Sequence, residues 1–99
     1  MKDLTVVVYT MKNCPFCQEF KELLENEGIE YFDRDIDDNE EEYDLFTEVT
    51  NNDFVPALLV IEGDEESHES FLYAPERDYN ELTEAVDIIN NHRKKLSII

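Results

Sequence analysis

The sequence predicts an α/β fold: a four-stranded mixed sheet flanked by three helices, in the order β-α-β-α-β-β-α. Three observations carry this expectation. Two apolar runs, Leu4 to Thr10 (LTVVVYT) and Val55 to Ile61 (VPALLVI), read as strands buried on both faces. Three other segments repeat apolar residues at helical spacing, with charged residues on the opposite side. A length of 99 residues, with 2 Gly, 3 Pro and no internal repeat, points to a single domain over 1–99 with a modest core.

Each element has its own signal. After the first strand, Lys12 and Asn13 lead into Cys14. Phe16, Phe20, Leu23 and Leu24 then form one side of a helix and Glu19, Lys21, Glu22 and Glu25 the other. Pro15 suits its first turn and Gly28 the residue just past its end. Ile29 to Ile36 reads as a second strand, more polar and so nearer a sheet edge. Asp37, Asp38, Glu40, Glu41 and Glu42 read as the first turn of a second helix, where negative charge is favourable. Tyr43, Phe46 and Val49 mark its apolar face. The third strand follows at Val55. Glu62 to Ser67 is a turn around Gly63, and Ser70 to Tyr73 a fourth strand. Asp78 with Glu81 resembles a capping box. Tyr79, Leu82, Val86, Ile89 and Leu96 give a long amphipathic helix, opened by Arg77 and ended by Arg93, Lys94 and Lys95, where cations suit the dipole. The first βαβ unit implies parallel strands with a right-handed crossover, and the turn at Gly63 an antiparallel hairpin. Strands one and three are the most apolar and should be central.

The net charge of −18 disfavours nucleic acid and anionic membranes as partners. The longest uncharged apolar stretch, Phe54 to Ile61, is too short to span a bilayer. Lys2 is followed by Asp3 and no small-residue cleavage site, so no signal peptide is expected and the chain reads as cytoplasmic. Such a charge serves solubility, or it selects basic partners.

Two cysteines are too few for a secreted disulfide scaffold. A bridge between Cys14 and Cys17 would close almost no loop and add little chain-entropy stabilisation. Reactivity explains the pair better. Disulfide exchange needs an exposed, ionisable thiol and a second thiol within reach. Cys14-Pro15-Phe16-Cys17 at a helix start meets those needs. Unpaired N–H groups and the positive helix end favour a thiolate at Cys14, with Lys12 nearby, so its pKa should be depressed. Cys17 lies one turn in and more enclosed. A bare C-x-x-C is also half a zinc site, but there is no second pair, and His68 and His92 stand far apart in sequence, so no metal is expected.

Proline opening an apolar central strand, as in Phe54-Val55-Pro56, is unusual because it cannot donate to the ladder. It marks a strand start or bulge, or a cis-proline facing the dithiol, with the Val55 backbone turned outward to pair with an extended substrate.

With VVVYT, CPFC and VPALLV, the chain resembles glutaredoxins, within the thioredoxin-like fold, from about Leu4 to Leu96. The family motif is usually Cys-Pro-Tyr-Cys, so Phe16 keeps the aromatic wall and loses a hydroxyl. The resemblance implies a glutathione-dependent thiol–disulfide oxidoreductase, with Cys14 as nucleophile and Cys17 as resolving thiol. It implies glutathione as reducing co-substrate, in a groove lined by Phe16, Val55 and Pro56. Protein disulfides and glutathione mixed disulfides would be substrates, ribonucleotide reductase among the recipients, and the protein a monomer. The family often has lysine three residues before the first cysteine; here that position is Met11, with Lys12 one later. The family's Gly-Gly before the last helix is replaced by Ala74 and Pro75. Asp78 matches the family's acidic helix start and would meet glutathione's amino group. Arg77 is new and would pair with its carboxylate, bordering the same groove as Lys12. Two alternatives stand beside this reading. One is a glutaredoxin-like redoxin recharged by thioredoxin reductase, which the lost Gly-Gly favours. The other is an iron–sulfur-binding glutaredoxin, which the stiffening Pro15 disfavours.

Overall fold

The computed structural model describes residues 4–64 and 66–97, with the side chains of 96 and 97 left aside. Seven elements follow one another: β1 (Leu4–Thr10), α1 (Pro15–Asn26), β2 (Phe32–Asp35), α2 (Glu40–Thr50), β3 (Ala57–Gly63), β4 (His68–Tyr73) and α3 (Leu82–Ser97). The sheet order is β2-β1-β3-β4, so the two most apolar strands are central, as their sequences predict. β1 pairs parallel with β2 and antiparallel with β3, and β3 pairs antiparallel with β4. The result is the expected four-stranded mixed sheet with three helices.

Strand periodicity divides the core into two layers. Val6 and Val8 of β1, with Leu58 and Val60 of β3, pack against Phe20 and Leu24 of α1 and Ala85, Val86 and Ile89 of α3. Val7, Tyr9 and Ala57 face the other way, onto Tyr43 and Phe46 of α2. Two helices thus cover one face and one the other, which is why β1 has no polar side.

The departures from expectation have local causes. Only Phe32–Asp35 of the second strand pairs; Gly28, at φ +69°, turns the chain after α1, and Ile29 is drawn into the core instead. β3 begins at Ala57 rather than Val55, because Pro56 has no N–H for the ladder. β4 begins at His68, two residues early. At the hairpin Gly63 has φ +120°, and a Cβ there would collide with the Ser67 carbonyl. Asp37 and Asp38 fall outside α2, in a turn in which the Asp35 carboxylate accepts the Asp37 N–H at 2.9 Å; Glu40, Glu41 and Glu42 do form the first helical turn. Val49 is not on the apolar face of α2: it is 70 % exposed. Seven residues return a helix to the same side and six do not, so the buried position after Tyr43 and Phe46 is Thr50. Its hydroxyl is satisfied by donating to the Phe46 carbonyl at 2.8 Å.

α3 also starts later than expected, at Leu82, so Arg77 does not open it and Asp78 does not cap it. The Asp78 carboxylate instead accepts the Ala74 N–H at 2.8 Å. The carboxylate that reaches back over the helix start is Glu84, which accepts from the Asn80 and Glu81 N–H groups at 3.2 and 3.0 Å. Lys94 and Lys95 lie in the last turn, as expected. Leu96 is one of the residues whose side chain is not described.

One polar cluster is buried at the end of the sheet remote from Cys14, where Glu62 of β3 pairs in register with Leu4. The Glu62 carboxylate meets the His92 ring Nδ1, and Lys95 Nζ at 3.2 Å, while His92 Nε2 meets the Tyr73 hydroxyl at 2.7 Å. All are satisfied if His92 Nδ1–H donates to Glu62 and the Tyr73 O–H donates to Nε2. The His92 hydrogen bond, with the hydrogen bond and charge of Lys95, outweighs burial and holds Glu62 below the usual carboxylate range. A carboxyl depressed by folding contributes stability above its unfolded value, about 4.3, and loses it as pH falls through the folded value. The stability gap between wild type and Glu62→Gln should therefore shrink steadily as pH falls below about 4. Urea unfolding across that range measures it; a gap independent of pH would mean that Glu62 is not held ionised by this cluster.

Candidate active site

β1 delivers the chain to Thr10, and Asn13, at φ +60°, turns it towards α1. Cys14 occupies the N-cap in an extended conformation, with Pro15 opening the helix. Proline has no N–H to orphan there and its fixed φ suits the first turn. Cys14 and Cys17 form a disulfide, with 5.2 Å between their Cα atoms. The Cys17 N–H donates to Cys14 Sγ at 3.1 Å. Burial separates the pair: Cys14 is half-buried, whereas Cys17 is 2 % exposed. An incoming group can approach Cys14 from solvent, whereas Cys17 is enclosed.

Two depressions adjoin the dithiol. The first, about 720 Å³, is lined by both cysteines, Lys12, Lys21, Asp33 and Asp35 among others. Its floor is a polar relay. The Thr10 hydroxyl donates to Asp33 at 2.6 Å, and Lys21 Nζ pairs with the same carboxylate at 3.0 Å. Burial pushes the Asp33 carboxyl up, but the two hydrogen bonds and the Lys21 charge outweigh it and leave the carboxyl below its ordinary value. Lys21 is thereby engaged, and Lys12 is the cation of this depression without a carboxylate partner of that kind.

The second depression, about 600 Å³, has Phe16, Phe54, Val55, Pro56, Tyr79 and Leu82 for walls, and Glu19, Glu76 and Glu81 among its lining residues. The Val55–Pro56 peptide is cis. The buried Tyr79 hydroxyl donates to the Pro56 carbonyl, and Asn52 Nδ2 donates to the Pro75 carbonyl at 2.8 Å. These two bonds tie the proline loop to the segment before α3 and set the width of the groove.

The expected single groove is therefore divided. Cys14, Cys17 and Lys12 line one depression; Phe16, Val55 and Pro56 line the other. Arg77 and Asp78 line neither, and Arg77 does not border a groove shared with Lys12. The cause is local: Asp78 is spent folding the loop back onto Ala74, and Arg77 pairs with it at 3.3 Å. The start of α3 lies four residues further on, its nearest N–H groups already met by Glu84. Tyr79 and Asn52 were not legible as site-forming residues, since each works through a partner 23 positions away. Asn52 lies in an Asn-Asn-Asp turn, which was its one signal. Among the described residues no group of three or more His, Cys, Asp or Glu side chains could hold a metal ion.

Tyr79→Phe removes that contact while leaving the ring in place, and it orphans the buried Pro56 carbonyl. It should cost about 1–3 kcal/mol. The check is a lower urea midpoint at unchanged m-value; a midpoint equal to wild type would show that the hydroxyl does not hold the loop.

Comparison with known proteins bears on this arrangement. A family model described as Glutaredoxin matches residues 6–65, from within β1 to just beyond β3. Comparison with curated proteins gives no match. Among solved structures, Trichomonas vaginalis thioredoxin is similar, with a TM-score of 0.57 and 14 % sequence identity, over 95 % of this chain and 79 % of that one. At that identity the likeness speaks to the fold alone, which is thioredoxin-like. The family match spans more than half of the chain and includes the vicinal cysteines and the cis-proline step, so the chain belongs to the glutaredoxin family and is a thiol–disulfide oxidoreductase.

Proposed function

We propose that this protein reduces protein disulfides and glutathione mixed disulfides through Cys14, with Cys17 as the resolving thiol and glutathione as the reductant. The observation that supports it is the unequal burial of two sulfurs at one helix start. Lys12 and the first-turn N–H groups favour a thiolate at Cys14.

In the reduced protein the Cys14 thiolate attacks one sulfur of the substrate disulfide. That S–S bond breaks, the second sulfur leaves as a thiolate and takes up a proton, and Cys14 holds a mixed disulfide. Cys17 loses its proton and attacks Cys14 Sγ, expelling the first substrate sulfur. The substrate has gained two electrons and the protein carries the Cys14–Cys17 bond. Two glutathione thiols reverse the change and leave as glutathione disulfide. On a glutathione mixed disulfide, Cys14 takes the glutathionyl group and a second glutathione removes it, so Cys17 is dispensable. Phe16, Val55 and Pro56 would wall the glutathione groove, and ribonucleotide reductase is one recipient in the class of protein disulfides.

A second reading has its own support. Among the described residues the walled groove offers carboxylates and no lysine or arginine, which suits an anionic tripeptide poorly, so recharging by thioredoxin reductase is the alternative. Turnover of one protein disulfide with glutathione and glutathione reductase, against thioredoxin reductase and NADPH, separates them. Activity only in the second system would replace glutathione as the reductant.

The roles predict an asymmetry. Cys14→Ser should abolish all exchange, while Cys17→Ser should accumulate mixed disulfides with protein substrates yet retain turnover of a glutathione adduct. Equal inactivity of both variants in the glutathione assay would contradict the assigned roles. The reduced protein's alkylation rate, followed against pH in Cys17→Ser, should show its inflection below the free-thiol value of about 8.5. An inflection at or above it would remove the helix-start activation of Cys14.

A further inference from the structure

The walled depression differs from the dithiol depression in the charges it presents. Glu19 comes from α1, and Glu76 and Glu81 come from the segment that joins β4 to α3, so the lining carboxylates are supplied by two separate parts of the chain. Among the described residues no lysine or arginine lines it. The cations nearest in sequence are engaged elsewhere, Lys21 with Asp33 and Arg77 with Asp78. The N–H groups at the approach to α3, a ready place for a substrate anion, are met by the chain's own Glu84. The charged residues that line this groove are thus carboxylates, which favour a positive group over a negative one.

The walls are apolar and open. Phe16 is 64 % exposed and Phe54 52 %, two large rings left in water on a chain otherwise dense in charge. Their burial becomes favourable only when something lies over them. Phe16 stands between Cys14 and Cys17 in the chain, so a segment lying across its ring has its own cysteine beside Cys14. We propose that this groove docks an extended segment of a disulfide-bearing protein that carries lysine or arginine next to its cysteine. The inference rests on the reading of Cys14 as the attacking thiol and narrows it to one substrate class. The apolar residues of the segment cover Phe16 and Phe54, and its cations meet Glu19, Glu76 and Glu81. The overall charge of −18 acts in the same sense at longer range. Exchange then follows the sequence already given: Cys14 attacks the segment's sulfur, the partner sulfur leaves with the bonding pair and a proton, and Cys17 releases the segment as a thiol.

The test uses reduced full-length protein and three peptides of one apolar sequence. Each carries a single cysteine as a mixed disulfide with 2-thiopyridine, flanked by lysine, glutamate or serine. Release of pyridine-2-thione is followed by stopped flow, and each rate is divided by that of 2-mercaptoethanol with the same peptide, which removes the peptide's intrinsic reactivity. The lysine peptide should react at least ~10-fold faster than the glutamate peptide at low salt. The ratio should fall towards one at about 0.5 M salt. The triple variant Glu19→Gln, Glu76→Gln, Glu81→Gln should bring the low-salt ratio below about three, since only steering by the remaining field is left. The variant Glu48→Gln, Glu69→Gln, Asp87→Asn makes the same change in net charge outside the groove and should stay within about two-fold of the wild-type ratio. Because the readout is a ratio within one preparation, partial loss of folded protein does not imitate it. A wild-type ratio near one, or an equal drop in both triple variants, overturns the docking groove while leaving the oxidoreductase reading intact. If no peptide, the serine one included, reacts faster than with Cys14→Ser, the reading of Cys14 fails and the groove's role falls with it.

Discussion

β1 is buried on both faces, and its end has to hand the chain to α1 within the four residues Met11 to Cys14. Tyr9 and Val8 are locked between the two core layers, so the end of the strand cannot drift. α1 is fixed independently by Phe20 and Leu24 in the core beneath it. The short link between two anchored elements leaves the N-cap one position to occupy, and a cysteine stands there. On the proposed role, reactivity at Cys14 is a property of the sheet as much as of the C-x-x-C sequence.

The groove wall is built from a different part of the chain. Pro56 precedes β3 because it cannot join the ladder, and its carbonyl is free to accept the Tyr79 hydroxyl. That single bond joins the strand that borders β1 to the loop that precedes α3. Asn52 repeats the tie one step away, at Pro75. The redox pair and the surface beside it are therefore held by two separate sets of contacts, one through the core under α1 and one through this loop clasp.

The sequence disclosed what periodicity and local chemistry encode. The unbroken apolar run in LTVVVYT, the helical spacing of Phe20 and Leu24, and a cysteine pair at a helix start are signals of this kind. It concealed what depends on distant partners. Asp78 looked like a helix cap because its partner, the Ala74 N–H, is defined only once the loop has folded back. Val49 looked buried because a three-residue step from Phe46 suits a helix; the face drifts, and Thr50 is the residue that returns to it. The groove is the largest case. Lys12, Arg77 and Phe16 were readable as residues beside the dithiol in a general sense. Spacing does not reveal that Lys12 and Phe16 line different depressions, or that Arg77 lines neither and pairs with Asp78.

The contrast between the two sulfurs also gives the protein an internal clock. Cys14 meets solvent directly, whereas Cys17 is closed over by the packing of α1. In the reduced state a bulky thiol reagent can therefore mark Cys14 on the folded molecule, but it reaches Cys17 only when the first turn of α1 parts from the sheet. The second labelling event then counts openings of that turn rather than chemistry at the sulfur. On the proposed roles, the element that activates one thiol is the same element whose opening exposes the other, so a single helix end would set both the speed of exchange and the lifetime of the shield behind it.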